Sequence, residues 1–343
     1  MISPGKLRRL RSLTDAQGRF KMMAIDQRGS LVSATARALG KADGDVSHQE
    51  LEQAKRSVTK VLATYATAVL TDPQYGYPQS LPYLAPQTGL LLASEESGYL
   101  PDGTKEGERR STLIEGWSAA ETLKAGADAV KLLAYYHPQG SPEVCRHQQE
   151  LVVKVGKECD DAGVPFLLEL VTYPLGAETA DSAQFARAKP KLTIDSAREF
   201  SDPRYRVDVL KLEFPADLKW TKEYCNGAFD GKERQAVYSL DEVNGFCRRL
   251  DEASGLPWVI LSAGVDIAEF LVQLELAIAA GASGFLCGRA IWQDAIGLFP
   301  DVTKVESWLA HHGVYNLTRA NGCAGQALPW VDHRRFAAAT FAR

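Results

Sequence analysis

The segment Asp208–Phe214 (DVLKLEF) is an apolar, strand-like run that carries a lysine, Lys211, in its second half. Charged side chains are rarely buried in such a run unless they are paired or used in chemistry. A lysine in an apolar pocket beside a second cation has its neutral amine favoured, and a neutral amine can attack a carbonyl group to form a Schiff base. Lys211 is therefore the candidate nucleophile.

Two further strand-like runs carry the charged residues Lys131 and Glu169. Because side chains alternate between the two faces of a strand, these residues can share one interior with Lys211 and Glu213. Repulsion from Lys131 would favour the neutral amine of Lys211, and Glu169 could move protons during carbinolamine formation and C–C cleavage. The alternative is a buried lysine–glutamate network that stiffens the fold, with Glu213 only balancing Lys211.

Eight apolar strand-like runs alternate with helix-like segments, a pattern typical of a parallel sheet with helical crossovers. The predicted strands are 21–25, 68–71, 89–93, 127–134, 164–171, 207–214, 257–262 and 283–288. Amphipathic connectors are predicted at 50–62, 113–125, 143–162 and 267–280. The pattern favours an α/β fold, the (β/α)8 barrel, over an open doubly wound sheet, since no G-x-G-x-x-G follows the first strand.

The domain prediction is a single barrel with an extension at its C-terminal end. We place the barrel at residues 1–298 and the extension at 299–343. The stretch 316–343 is rich in Ala and also contains Gly, Pro and Trp330, so we expect the extension to pack on the barrel or on a partner subunit.

Chemistry in a (β/α)8 barrel gathers at the C-terminal ends of the strands. The loops after strands seven and eight, where phosphate commonly binds, carry Ser262, Gly264, Gly288 and Arg289. Glycine lets the backbone approach a phosphate closely, and an arginine can clamp it with two hydrogen bonds. After strand one, Arg28 could bind a second anionic group of an extended substrate or form a surface salt bridge.

Composition excludes several function classes. Basic residues number 39 and acidic residues 43, giving a net charge of −4, and no basic patch suits nucleic acid or an anionic membrane. The basic start of the chain lacks the apolar core of a signal peptide, and no run approaches the roughly 18 apolar residues of a membrane span. We expect a cytoplasmic protein.

Metal and disulfide patterns are absent from the sequence. The six cysteines contain no CxxC pair, and the six histidines show neither His-x-His nor His-Glu-x-x-His spacing. We therefore expect reduced cysteines, no metal site and no cofactor.

Several stretches together resemble the tagatose 1,6-bisphosphate aldolase family, class I enzymes of (β/α)8 fold. The resemblance extends from about Leu10 to about Ala295, and the extension looks longer than in that family. The stretches that carry the resemblance are 24–29 (AIDQRG), 70–76 (LTDPQYG), 89–93 (GLLLA), 126–131 (GADAVK), 166–169 (FLLE), 208–211 (DVLK), 261–265 (LSAGV) and 286–290 (LCGRA).

The resemblance implies a role for each matching site residue. Lys211 forms the Schiff base, Glu169 transfers protons, and Lys131 with Asp26 assists at the ketose hydroxyls. The residues implied to hold the phosphate of the dihydroxyacetone phosphate half are Ser262, Gly264, Gly288 and Arg289. Gln27 and Arg28 match the substrate-binding turn of the family.

We therefore predict a metal-independent aldolase. Its substrate would be a ketose 1,6-bisphosphate, tagatose 1,6-bisphosphate or a stereoisomer, and its products dihydroxyacetone phosphate and glyceraldehyde 3-phosphate. A related sulfofructose 1-phosphate aldolase, a sugar-phosphate isomerase and a non-catalytic sugar-phosphate sensor are the alternatives. The expected partner is a small phosphosugar, and assembly into a homo-oligomer is left open.

Overall fold

Eight parallel strands close into a barrel in chain order, with the last strand paired to the first. The computed structural model describes residues 2–100, 105–176 and 178–337. Its strands are β1 Phe20–Ala24, β2 Ala68–Thr71, β3 Gly89–Ala93, β4 Ala129–Tyr135, β5 Phe166–Val171, β6 Val209–Leu212, β7 Trp258–Ile260 and β8 Gly284–Cys287. The closed barrel confirms the predicted fold class and excludes the open doubly wound sheet.

Helices surround the barrel and connect its strands. They are α1 Pro4–Ser12, α2 Gly29–Leu39, α3 His48–Leu62, α4 Ala119–Lys124, α5 Pro142–Ala162, α6 Ala183–Phe200, α7 Leu240–Ala253, α8 Ile267–Ala280, α9 Arg289–Ile296, α10 Val302–Trp308, α11 Val314–Ala324 and α12 Arg334–Ala337. Short 3-10 turns lie at Asp43–Asp45, Ala63–Tyr65, Leu81–Tyr83, Pro203–Tyr205, Leu218–Trp220 and Trp330–Asp332.

The strands form where the sequence is apolar on both faces, as expected for a parallel sheet covered by helices. Residues of β2, β3, β6, β7 and β8 are all buried. Each of the eight predicted strands is present, and the observed ends differ from the predicted ones by at most two residues.

One predicted helix starts in the wrong place. The sequence predicts a helix from residue 113, whereas Leu113 forms an isolated antiparallel bridge with Glu95 and α4 begins only at Ala119. Gly116 takes a left-handed φ of 71°, which interrupts a right-handed helix. Ser118 then starts α4, because its side chain accepts a hydrogen bond from the backbone N–H of Glu121.

The barrel interior has an apolar layer below a charged layer. The apolar layer contains Phe20, Met22, Ala24, Leu70, Leu91, Ala129, Leu167, Val209, Val259 and Leu286. Two residues after Ala129, Leu167 and Val209, on the same face of each strand, come Lys131, Glu169 and Lys211. Strand periodicity thus places the charged residues just above the packed core, at the open C-terminal end of the barrel.

The C-terminal segment packs on both the side and the bottom of the barrel. Helix α11 packs on α8, and α10 with the π turn Leu309–Gly313 packs on α3. At the bottom, Trp330 and Phe336 join Leu10 and Leu13 of the interior cluster. We propose that the barrel unit continues to Ala324 instead of ending at residue 298. Residues 338–343 of the predicted extension lie outside the described residues.

Two further features bear on the sequence predictions. All six cysteines are free thiols. Within the described ranges, no helix is both long and apolar enough to cross a membrane.

Candidate active site

Two adjoining cavities open at the C-terminal end of the barrel. The Lys211 lobe, about 210 Å³, is lined by Lys211, Ser262 and Gly288 among others. The Lys131 lobe, about 320 Å³, is lined by Asp26, Arg28 and Lys131 among others. The two lobes share Gln27, Leu133, Tyr135, Glu169 and Arg289, so they form one elongated site.

Glu169 lies between the two lysines of the site. In the strand register Glu169 of β5 is directly opposite Lys211 of β6, so both side chains point into the barrel. The Nζ atom of Lys211 donates to Oε2 of Glu169 over 2.9 Å, and the Nζ atom of Lys131 lies 2.9 Å from the same oxygen. A proton can therefore pass between Glu169 and either amine.

Lys131 is the electrostatic centre of the charged layer. Its Nζ atom lies 2.7 Å from Oδ2 of Asp26 and 2.5 Å from Oε1 of Glu95, in addition to its contact with Glu169. Burial disfavours the ammonium, but the three carboxylates outweigh burial and raise the pKa of Lys131 well above its usual value. Lys131 therefore stays charged at neutral pH.

The two predicted carboxylates are held in their ionised form. Burial by itself would raise the pKa of Asp26, but Lys131 and Lys211 more than offset burial and leave this pKa well below its ordinary value. The pKa of Glu169 is lowered by the same two lysines against the opposing effect of burial. Glu169 is thus a carboxylate at rest, ready to accept a proton.

The turn after β1 is held from behind by Lys55 of α3. The Nζ atom of Lys55 donates to the carbonyl oxygens of Ile25 and Gln27 over 2.5 and 2.7 Å and pairs with Asp72 over 2.6 Å. Lys55 and Asp72 are fully buried. Burial is the main reason that the pKa of Lys55 is lowered, with Asp72 opposing it. This contact fixes the backbone on either side of Asp26.

The loops after β7 and β8 approach each other closely. A Cβ atom on Gly264 would lie 2.9 Å from Cζ of Arg289, so the guanidinium would have to move, and the left-handed φ of 83° also favours glycine there. A Cβ atom on Gly288 would lie 2.4 Å from the carbonyl oxygen of Ala24. Ala263 adopts a left-handed φ of 49°, a strained conformation of the kind that clusters at ligand sites. Small residues thus leave an open floor beside Arg289.

The ten predicted site residues meet at this one end of the barrel, but two charged residues have other partners than expected. Arg28 donates to the carbonyl of Glu95 over 2.6 Å and to Oε1 of Gln74 over 3.2 Å, so its guanidinium is engaged by protein. Glu213 accepts hydrogen bonds from the backbone N–H and the hydroxyl of Thr172, both over 2.7 Å. Its Oε1 atom also lies 3.8 Å from Nζ of Lys189, so Glu213 contacts Thr172 and Lys189, and its suggested balancing of Lys211 stays a prediction.

Sequence reasoning missed Glu95, Lys55 and Tyr135. Glu95 comes two residues after β3, so the strand-end rule used for the other strands would have found it. Lys55 lies on the apolar face of α3, four residues after Leu51 and three before Val58, which is a visible anomaly. Tyr135 ends β4 and lines both lobes, but nothing in its local sequence separates it from a core tyrosine.

Within the described residues, no cluster of three or more His, Cys, Asp or Glu side chains could hold a metal ion. The three carboxylates that converge, those of Asp26, Glu95 and Glu169, converge on the ammonium of Lys131 instead.

Comparison with known proteins identifies aldolases, both by the matching family and by the similar sequences. The family that matches is described as DeoC/LacD family aldolase, over residues 20–294. The tagatose 1,6-diphosphate aldolase of Lactococcus lactis subsp. lactis is 34% identical over 97% of this chain and 99% of its own. Tagatose 1,6-diphosphate aldolase 1 of Enterococcus faecalis (strain ATCC 700802 / V583) is 36% identical over 93% and 94%.

Among solved structures, a Schiff-base-forming fructose-1,6-bisphosphate aldolase is similar with a TM-score of 0.54 and 17% identity. The alignment covers 88% of this chain and 97% of that one. At this identity the likeness supports the barrel fold alone.

Proposed function

Because the chain belongs to the DeoC/LacD family of aldolases, we propose that it cleaves a ketose 1,6-bisphosphate through a Schiff base on Lys211. The relatives from Lactococcus lactis and Enterococcus faecalis are named tagatose 1,6-diphosphate aldolases, which supports tagatose 1,6-bisphosphate or a stereoisomer as substrate. The family assignment favours cleavage over the isomerase and sensor alternatives.

The two lobes suit the two halves of such a substrate. The phosphate on C1 would bind the floor formed by Ser262, Gly264, Gly288 and Arg289 in the Lys211 lobe. The C2 carbonyl would then lie at Lys211. The hydroxyls on C3 and C4 would face Asp26 and Lys131 in the other lobe, with Gln27 and Arg28 beside them.

In the first step, the neutral amine of Lys211 attacks C2 and a carbinolamine forms. The proton that Lys211 loses passes to Glu169, whose Oε2 atom is 2.9 Å away. The former carbonyl oxygen takes up two protons before it leaves as water: the one that Glu169 returns and one from solvent. A protonated imine remains, and Glu169 is again a carboxylate. Lys131 stays an ammonium in this step, because the neighbouring carboxylates raise its pKa.

In the second step, Glu169 accepts the proton of the C4 hydroxyl. The C3–C4 bond breaks, its electron pair enters the imine to form an enamine, and C4 becomes the aldehyde of glyceraldehyde 3-phosphate. Protonation of the enamine at C3 and hydrolysis of the imine release dihydroxyacetone phosphate and regenerate Lys211. Asp26 and Lys131 would orient the hydroxyls throughout, since their mutual contact of 2.7 Å keeps them fixed.

The observation that carries this proposal is the pairing of Lys211 with Glu169 above a packed barrel core and beside a third, permanently charged residue, Lys131. An acid–base pair of this kind meets the need of imine chemistry for an amine with a proton acceptor within 3 Å. The sulfofructose 1-phosphate alternative uses the same chemistry and differs only in the distal anion.

Borohydride trapping tests the proposal directly. The enzyme is incubated with dihydroxyacetone phosphate and EDTA, reduced with borohydride, and mapped by peptide mass spectrometry. We expect a reduced adduct on the peptide that contains Lys211, because borohydride reduces an imine to a stable amine. Lys211→Met should give no adduct, while Lys219→Met, a lysine outside both lobes, should label like the wild type. An adduct on Lys131 instead, or none at all, would contradict the mechanism.

A further inference from the structure

A cluster of three tyrosines and one arginine lies at the rim of the active site. Arg109 follows β3 in the loop that leads to α4, and its guanidinium lies over the rings of three tyrosines. The distances from Cζ of Arg109 to the ring centroids are 4.5 Å for Tyr99, 5.4 Å for Tyr135 and 5.0 Å for Tyr173. We call these four residues the rim cluster.

Aromatic rings are the partners of the Arg109 guanidinium among the described residues. Aromatic rings attract a guanidinium through their π faces and leave its five N–H donors available. Within the described residues, the Arg109 guanidinium has no hydrogen bond or ion pair with a protein group. A half-buried cation that lies among aromatic rings and has open donors is suited to an incoming oxyanion.

The rim cluster borders the substrate cavity through Tyr135, whose side chain lines both lobes. Leu133 is opposite Glu169 in the strand register, so Tyr135 lies two residues, roughly 6.6 Å, further toward the open end of the barrel. Gly98, the neighbour of Tyr99, also lines the Lys131 lobe. The cluster therefore lies at the outer end of the lobe that would hold the aldehyde half of the substrate.

The two arginines that line the cavity, Arg28 and Arg289, have other roles. Arg28 is 6% exposed and donates to Glu95 and Gln74. The guanidinium of Arg289 lies against Gly264, at the floor assigned to the C1 phosphate. A substrate with an anionic group at each end needs a second cation, and in the part of the chain that the structure describes Arg109 is a cation with unused donors at the outer end of the site.

We propose that Arg109, held by Tyr99, Tyr135 and Tyr173, binds the anionic group at the aldehyde end of the substrate. This inference rests on the proposed aldolase function and assigns the residue that selects an aldehyde with a tetrahedral oxyanion, either phosphate or sulfonate. Arginine recognises both through parallel N–H···O bonds. Because the rings fix the guanidinium before the substrate arrives, little side-chain entropy is lost on binding.

The test uses the condensation direction, in which the two halves are supplied separately. Wild type and Arg109→Gln are assayed with dihydroxyacetone phosphate and one of three aldehydes: glyceraldehyde 3-phosphate, 3-sulfolactaldehyde or unphosphorylated glyceraldehyde. We expect Arg109→Gln to lower kcat/KM for the anionic aldehyde about 10- to 100-fold, the range for a hydrogen bond to a charged group. The value for glyceraldehyde should change by less than about twofold, since neutral glyceraldehyde makes no ion pair. The preferred anionic aldehyde of the wild type identifies the group as phosphate or sulfonate.

Controls separate the outcomes. Arg319 also lies over a tyrosine ring, that of Tyr315, but does not line the cavity. Arg319→Gln should therefore leave kcat/KM unchanged for all three aldehydes. If Arg109→Gln lowers kcat/KM equally for anionic and neutral aldehydes, the proposal is overturned and Arg109 is a structural residue. Equal activity of wild type and Arg109→Gln with the anionic aldehydes would overturn it as well. Borohydride trapping of dihydroxyacetone phosphate on Lys211 does not involve the aldehyde, so its failure would refute the aldolase mechanism separately.

Discussion

Lys131 has two roles that depend on the same contacts. The sequence suggested Lys131 as a cation beside Lys211, and the structure surrounds it with the carboxylates of Asp26, Glu95 and Glu169. Removing one member of a buried ion pair leaves its partner charged and desolvated, which costs more than the pair itself contributes. Lys131 is therefore needed for the stability of the charged layer as well as for its chemistry.

We predict that Lys131→Met destabilises the protein by about 3–5 kcal/mol at pH 7.5. Without the ammonium, burial raises the pKa of Asp26, so this unpaired carboxylate costs stability at any pH above its unfolded pKa. The deficit relative to wild type should shrink as the pH falls toward 5, because protonation of Asp26 removes the buried charge. Urea unfolding of both proteins at several pH values measures it.

In the wild type the ionised carboxylates of the charged layer stabilise the fold, whereas in Lys131→Met the unpaired carboxylate destabilises it. The pKa values of Asp26 and Glu169 are lowered in the folded protein, so their stabilisation is present above their unfolded pKa values and is lost as the pH falls through the folded ones. Wild-type stability should thus decrease in acid while the Lys131→Met deficit narrows. A deficit that stays constant from pH 7.5 to 5 would contradict this account.

Helix α3 supports the active site through one residue on its buried face. Lys55 lies on the buried face of α3, in the same stripe as Leu51, Val58 and Leu62. Its side chain reaches the turn after β1. A buried ammonium in a helix stripe is costly unless it is fully paired. Lys55 has three such partners: two carbonyls that accept its hydrogen bonds, and the carboxylate of Asp72, which forms an ion pair with it.

We predict that Lys55→Met costs about 3–5 kcal/mol of unfolding free energy, because Asp72 loses its buried counter-ion. The turn that carries Asp26 also loses two hydrogen bonds, so kcat/KM for ketose bisphosphate cleavage should fall. Lys60→Met on the same helix is the matched control, since Lys60 forms an exposed pair with Glu306 worth about 0–1 kcal/mol. Urea unfolding and a coupled cleavage assay measure both effects; equal costs for the two variants would rule out the role of Lys55.

At the scale of the whole molecule, the ring of outer helices is completed by α10 and α11. The side chain of Leu317 is 0% exposed and belongs to the main core cluster, whereas Tyr315 two residues away is 61% exposed. A separate extension would have its own core, but the residues of α11 share one core with α8 and β8. The C-terminal helices should therefore unfold together with the barrel.

We predict that Leu317→Ala destabilises the protein by about 2–5 kcal/mol and that Tyr315→Ala changes its stability by less than about 0.5 kcal/mol. The unfolding curve of Leu317→Ala should remain a single transition when followed by circular dichroism and by tryptophan fluorescence. Two transitions, with activity lost only in the second, would show instead that residues after 298 form a separate unit.

The sequence predicted the strands better than the connections between them. All eight strands are apolar runs buried on both faces, so their identity is a local property. The loop between β3 and α4 was partly read as helix, because apolar spacing at 113–125 outweighed the signal of Gly116. The boundary at 298 was drawn from composition, which does not reveal that α11 packs on α8.

The sequence by itself determined the barrel and the presence of Lys131, Glu169 and Lys211 on inward-facing strand positions. The reason is that side-chain alternation and burial of apolar runs follow from a few neighbouring residues. Only the tertiary structure decided the partners: Glu95 on Lys131, Lys55 behind the first turn, and Arg109 among three tyrosines. These contacts join residues distant in the chain, and their geometry exists only after the barrel has closed.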